Sequence, residues 1–278
     1  MRLRFATSCG ALLFAVSLVG CDDKPSTKLA PSATALAAEK PASAASKSFT
    51  VDKASSKATF EMDAPIEKIH GHVEGGAEGT LDVDPSDLTK TRGLVAVDIA
   101  KLELVQTVTT DAGAQPPAAS ELQNKHARAW LETGEDTPED VRKKNQRIEF
   151  SIKGVDKVSE KDVTKMTGND RKVTLTVTGD FLLHGHKTSK TAELEATFHY
   201  AGADIASIDV KSTKPVAVGL EEYDVRPRSA VGGILKTLED LKEKVNKEAL
   251  VSVEFTVKPG GAAPKADGSA KPAASAAP

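Results

Sequence analysis

Two triplets, His70-Gly71-His72 and His184-Gly185-His186, hold four of the six histidines in this 278-residue chain. Residues two apart on a strand point to the same side, so each triplet could offer two imidazoles to a metal ion. Two ligands fall short of a closed tetrahedral site, and a metal would require both triplets to meet at one end of the fold. His184 reads more simply as part of a turn that bonds a strand end, and His126 as a packing residue. Gly75-Gly76-Ala77-Glu78-Gly79 lacks the lysine and following helix of a phosphate-binding loop. Glu221-Glu222 reads as solvated charge, and Tyr223, Arg226 and Arg228 as a polar cluster on a surface loop that could touch a ligand's head group. No nucleophile stands in context with a base, so no catalytic residue, metal ligand or cofactor is assigned.

The other residue with chemistry to offer is Cys21. Met1-Arg2-Leu3-Arg4 carries two positive charges, and the run Ala11 to Val19 that follows has none. This is the charged head and apolar core of a signal peptide, too short to be a spanning helix, which needs roughly 20 apolar residues. Leu18-Val19-Gly20-Cys21 resembles the lipobox of bacterial lipoprotein precursors. That resemblance implies cleavage after Gly20, acylation of Cys21 and a membrane anchor, with the folded part facing the periplasm. Asp22-Asp23 is similar to an inner-membrane retention signal of enteric bacteria. Cys9 lies in the segment removed, so the folded part has no thiol for a disulfide or a cysteine metal site. Removing residues 1–20 takes Arg2 and Arg4 and no acid, leaving 35 basic against 40 acidic side chains, net −5. Such a balance does not suggest nucleic acid as a partner.

Composition divides the rest. Residues 21–47 carry the lipidated cysteine and an Ala/Pro/Ser/Lys/Thr stretch that cannot bury enough surface to order itself, and reads as a disordered tether. Residues 259–278 repeat that composition and read as a disordered tail. The folded domain is 48–258. Within it, apolar and polar residues alternate with period two, which separates core from solvent on a strand. Val173 to Leu183, Leu194 to Tyr200 and Val251 to Val257 are the clearest cases, with weaker ones at Leu81–Val83, Leu94–Leu104 and Ile208–Val218.

About eight strands, most with one apolar and one polar face, predict an all-β antiparallel barrel or sandwich with one to three accessory α-helices. Asp84-Pro85-Ser86-Asp87 is a turn, and Gly185 with Lys187 to Lys190 separates two long strands of a hairpin. Residues 109–119 read as an inserted surface loop. A helix is predicted around Glu121–Leu131, with the single tryptophan Trp130. The clearest helical stripe, Val231, Ile234, Leu235, Leu238, Leu241 and Val245, follows Ser229.

With the strands placed, the sequence resembles the YceI-like family of exported bacterial proteins. Four stretches carry the resemblance: Phe49-Thr50-Val51-Asp52 with Ser55 to Phe60; Gly75 to Val83; Asn124 to Leu131 with Pro138 and Ile148-Glu149-Phe150; and Val177 to Thr188, the most specific. The sequence departs from the family at Ala127, where a leucine follows the histidine, in the long 109–119 loop and in the helix after Ser229. The resemblance implies a lipocalin-like barrel that binds or carries a long isoprenoid lipid, of polyprenyl or quinone type, without chemistry. An eight-stranded barrel can be filled by side chains or hold one ligand. The inward residues that would line such a cavity are Phe60, Phe150, Leu175, Val177, Phe181, Leu183, Leu194, Phe198, Tyr200, Val253 and Phe255. Two other readings stay open: an envelope structural or interaction protein with a filled barrel, and a metal-binding protein or enzyme built on the His-Gly-His pairs.

Overall fold

The computed structural model describes residues 28–64, 67–110, 113–226 and 247–260. The expected signal peptide, Cys21, Asp22-Asp23, the helix predicted after Ser229, Arg228 and nearly all of the expected tail lie outside the described residues.

Among the described residues there are thirteen strands and two α-helices. In chain order they are β1 Lys47–Ala64, β2 Glu67–Glu74, β3 Ala77–Val83, β4 Arg92–Asp98, β5 Glu103–Thr110, β6 Gly113–Ala114, β7 Ala118–Ala119, α1 Glu121–Trp130, α2 Glu139–Asn145, β8 Arg147–Val158, β9 Asp170–Leu183, β10 His186–Ala201, β11 Asp204–Ser212, β12 Val216–Gly219 and β13 Glu248–Pro259. Eight of them close an antiparallel barrel in the order β1, β13, β11, β10, β9, β8, β4, β3 and back to β1.

One strand does two jobs. The pairing of β1 with β13 slips between Asp52 and Lys57, a bulge that bends β1. Before the bulge, Lys47 to Thr50 pair with β3 and close the circuit; after it, Lys57 to Ala64 pair with β2, which pairs onward with β5. The wall therefore flares outward at the end where β1 finishes, and α1 lies across the flare. At the opposite end the barrel is packed solid: Phe49, Leu88, Val163, Phe198, Ile208 and Val257 are each 2% exposed or less.

The strand runs read from alternation are present, with corrections at their edges. Leu94–Leu104 is interrupted by the 3-10 turn Ile99–Lys101, and Ile208–Val218 by residues 213–215. The described parts of the 109–119 loop pair with β5 as the short strands β6 and β7. The β9–β10 hairpin turns on His184 and Gly185 alone, both at positive φ (50° and 73°), which is the geometry of a two-residue hairpin loop. Lys187 to Lys190 belong to β10 and not to the loop, because the ladder resumes at once with His186 opposite Leu183.

The second correction concerns the tether. Its described part, residues 28–46, has almost no regular structure but is bonded to the outside of the barrel. Ala30 N donates to Glu222 O (2.9 Å), Ala33 N to Gly185 O (2.8 Å) and Lys187 N to Pro31 O (2.8 Å), and Ser32 bridges His186. Farther along, Leu36 N donates to the buried Glu149 carboxylate (2.5 Å), Ser151 Oγ donates to Ala37 O (2.8 Å), and Glu39 pairs with Lys153. Leu182 stands between Glu149 and Lys187 in the sheet and is buried although it alternates with the inward Phe181 and Leu183. It lies on the path of this strap.

On the outer wall, His199 of β10 joins Asp170 of β9 (Nδ1, 2.7 Å) to Asp209 of β11 (Nε2, 2.8 Å). Hydrogen bonds to Asp170, then to Asp209, raise its pKa above the usual histidine value. A raised folded-state pKa gives stability that is fully present below about pH 6.5, the unfolded value, and lost as pH rises through the folded one. We expect the urea midpoint to fall as pH is raised from 6 through 8, and His199→Gln to flatten that slope. An unchanged slope in the variant would show that the pairing contributes nothing.

Candidate functional site

The barrel encloses a cavity of about 420 Å3 that runs from the solid end to α1, a volume in the range of small-molecule sites, roughly 300–1,000 Å3. It exists because the inward side chains of the middle layer are of medium size and do not meet across the axis. Val95, Val97, Phe150, Leu175, Leu194 and Val253 point inward yet are only half-buried. A filled barrel would bury them completely, so the interior is hollow rather than solid.

Of the eleven residues read from the sequence, ten border the cavity: Phe60, Phe150, Leu175, Val177, Phe181, Leu183, Leu194, Phe198, Val253 and Phe255. Tyr200 does not. It keeps the inward face of β10 and packs against the core cluster of the solid end, under the Arg171 guanidinium, 3.6 Å from the ring centre. Alternation counted from Leu194 gives its face and not how far along that face the cavity reaches.

Helix α1 supplies a wall that strand alternation could not reveal. Gln123, His126, Ala127, Trp130 and Leu131 border the cavity, a spacing that puts them on one helix face. His126 is exposed as well as lining, which places the mouth beside it. Ser120 caps the helix through Gln123 N. The buried Asn124 amide then pairs with the Leu104 backbone of β5 as a strand would, accepting from its N–H (2.8 Å) and donating to its carbonyl (3.4 Å). Just beyond the far end of α1, Glu132 lies 3.0 Å from Nε2 of buried His184, whose Nδ1 bonds the Tyr223 carbonyl (2.9 Å).

One inward position of β10 is charged. Lys190 precedes Ala192 and Leu194 on the same face and borders the cavity. Its ammonium group pairs with Glu222 (3.2 Å) and stands 5.8 Å from the centre of the Tyr223 ring. Tyr223, read as part of a surface loop, is fully buried in the 3-10 turn Leu220–Tyr223. Its hydroxyl bonds Thr188, and burial pushes its pKa up to about 12, so it stays neutral. The mouth end of an otherwise apolar cavity thus carries a hydrogen-bond donor with a counter-ion. Arg226 pairs with Asp224 (2.7 Å).

The four paired histidines are held by four different groups. His70 faces Glu61 (3.9 Å) and His72 faces Glu103 (3.7 Å) across the sheet, His184 binds the Tyr223 carbonyl, and His186 binds the strap at Ala30 O (2.7 Å). Among the described residues no group of three or more His, Cys, Asp or Glu is arranged to hold a metal ion. Gly71 has its own reason to be there: a Cβ at this position would fall 1.8 Å from the ring of Phe60, its cross-strand partner. The glycine makes room for a ring that lines the cavity. No described helix is long and apolar enough to cross a membrane.

No family model matches this chain, and no curated protein sequence does. Among solved structures, it is similar to BcnA of Burkholderia cenocepacia, with 15% identity, a TM-score of 0.44 and coverage of 74% of this chain and 98% of that one. It is also similar to a polyisoprenoid-binding domain from Saccharophagus degradans implicated in plant cell wall breakdown, with 12% identity, a TM-score of 0.47 and coverage of 76% and 98%.

Proposed function

We propose that this chain is a YceI-like lipid-binding lipoprotein, anchored in a bacterial envelope membrane through acylated Cys21, that holds a long isoprenoid in its barrel. The hollow, apolar interior carries this reading. Each five-carbon isoprene unit removed from water contributes roughly 3–4 kcal/mol at about 0.8 per CH2, so enclosure alone supplies tight binding. The tail lies along the axis toward Phe198 and Phe255. The polar head, a quinone ring or a terminal oxygen, stays at the mouth within reach of Lys190. We assign no covalent step: the residues that would hold the tail are apolar, and Lys190 at the mouth is paired with Glu222.

The chain purified from a bacterial envelope and examined by native mass spectrometry, then by solvent extraction, is expected to carry one isoprenoid of defined mass. A mass equal to the acylated polypeptide alone, unchanged after incubation with polyprenyl lipids, would sink the proposal.

A further inference from the structure

Three observations bear on which way the barrel faces. First, the strap is docked, so the length of chain between the anchor and the fold is not the 26 residues that the composition suggests. Leu29 immediately precedes the first strap residue bonded to the barrel, Ala30. At about 3.3–3.6 Å per residue, the stretch from Cys21 to Leu29 spans at most roughly 29 Å. Second, the strap arrives at one particular end. Ala30 bonds Glu222, beside Tyr223, and Ala33 bonds Gly185 of the β9–β10 turn, and both belong to the mouth end. The solid end lies at the other end of β10, whose 16 residues extend about 50 Å.

Third, the described residues include three large apolar side chains left in solvent: Leu29 (49% exposed), Leu122 (62%) and Leu250 (42%). All three stand at the mouth end. Leu29 precedes the Ala30 contact, Leu122 is in the first turn of α1, and Leu250 pairs with Glu61 of β1 and Ala217 of β12 where the wall flares. None stands at the solid end.

We propose that the mouth end of the barrel seats on the surface of the anchoring membrane, with Leu29, Leu122 and Leu250 as its apolar contacts, so that an isoprenoid passes between bilayer and cavity without crossing water. The occupant of this face is a lipid surface because the anchor lies within reach of it and of no other end. Removing three leucines from water adds to an acyl anchor that already holds the chain there. The proposal rests on the acylation of Cys21 and extends the carrier reading, but the orientation is measured independently of what the cavity holds.

The test uses the acylated chain in vesicles of phosphatidylethanolamine and phosphatidylglycerol, spin-labelled at Leu122→Cys or at Ala203→Cys in the β10–β11 turn. Once Cys21 is acylated no other thiol competes for the label. A nitroxide at 122 is expected to be shielded from a water-soluble nickel chelate and reached by oxygen dissolved in the bilayer, while one at 203 stays open to the chelate. Equal access at the two positions would overturn the proposal. So would a chain that carries no acyl group, or shielding at 122 that grows with protein density at fixed lipid, which means a second copy covers the face. Shielding at 122 together with a cavity that takes up no isoprenoid would support the docking and sink the carrier reading alone. Equal access with lipid still bound would do the reverse.

Discussion

Val95→Phe and Ala192→Phe, alone or together, are expected to leave the barrel folded and to empty it of lipid. Both positions point into the hollow, Val95 from β4 and Ala192 from β10, and both are half-buried for want of neighbours across the axis. In a close-packed core an added ring forces other side chains off their rotamers, at a cost of about 1–3 kcal/mol. Here the ring enters empty space and gains dispersion contacts, so the urea midpoint should stay the same or rise. The ligand loses what the ring takes. Displacing one isoprene unit forfeits roughly 3–4 kcal/mol of burial, which weakens affinity by about two to three orders of magnitude. Titration with a fluorescent polyprenyl probe, beside a denaturation curve, reads both quantities. Wild-type affinity in both variants would mean that the ligand binds elsewhere. A charged residue at either site would also abolish binding, but it would destabilise the fold too and leave the two causes mixed.

What could be read from the chain follows from what alternation encodes. Val173 to Leu183 and Val251 to Val257 show their apolar faces plainly, and six of the ten residues that border the cavity lie on those faces. Alternation says which side chains share a side, not how wide the space between opposite walls is. The hollow depends on the size of residues brought together from different strands, such as Val95, Leu175 and Val253, and only the folded ring juxtaposes them. Polar chemistry hid other parts. Lys187-Thr188-Ser189-Lys190 has the composition of a loop, yet it continues β10 and turns Lys190 inward because Glu222 is there to pair with it. The strap was hidden for a different reason. Its hold on the barrel comes largely from backbone groups at Ala30, Pro31, Ala33, Leu36 and Ala37, which any residue supplies and which composition does not report. The irregularity that lets β1 serve two partners, residues 53–56 of β1 against residue 255 of β13, is a break of register that period-two counting passes over.

Tyr223→Ala is expected to cost about 3–5 kcal/mol of stability, the range for losing a large aromatic from a packed interior, or roughly 6–20 °C in melting temperature for a domain of this size. The residue is fully buried and its ring meets Phe181 edge-on, with centroids 5.6 Å apart. Around it pack Leu183, Val218 and Val225, with Trp130 and Leu131 from the α1 segment. Tyr223→Phe keeps that packing and loses the bond to Thr188, so it should cost only about 1 kcal/mol. Equal, small losses in the two variants would show that the ring is not the hub its burial suggests. The larger effect has a local signature as well. The Tyr223 carbonyl holds His184, the adjacent Glu222 carbonyl holds the strap at Ala30, and the Glu222 carboxylate holds Lys190 at the mouth. Collapse of this turn in Tyr223→Ala should therefore release the strap first. In hydrogen exchange, the Ala30 and Ala33 amides should lose protection in conditions where β9 and β10 keep theirs. If strap and barrel instead lose protection together, the strap is part of the cooperative fold, and the mouth end cannot loosen without unfolding the walls that enclose the cavity.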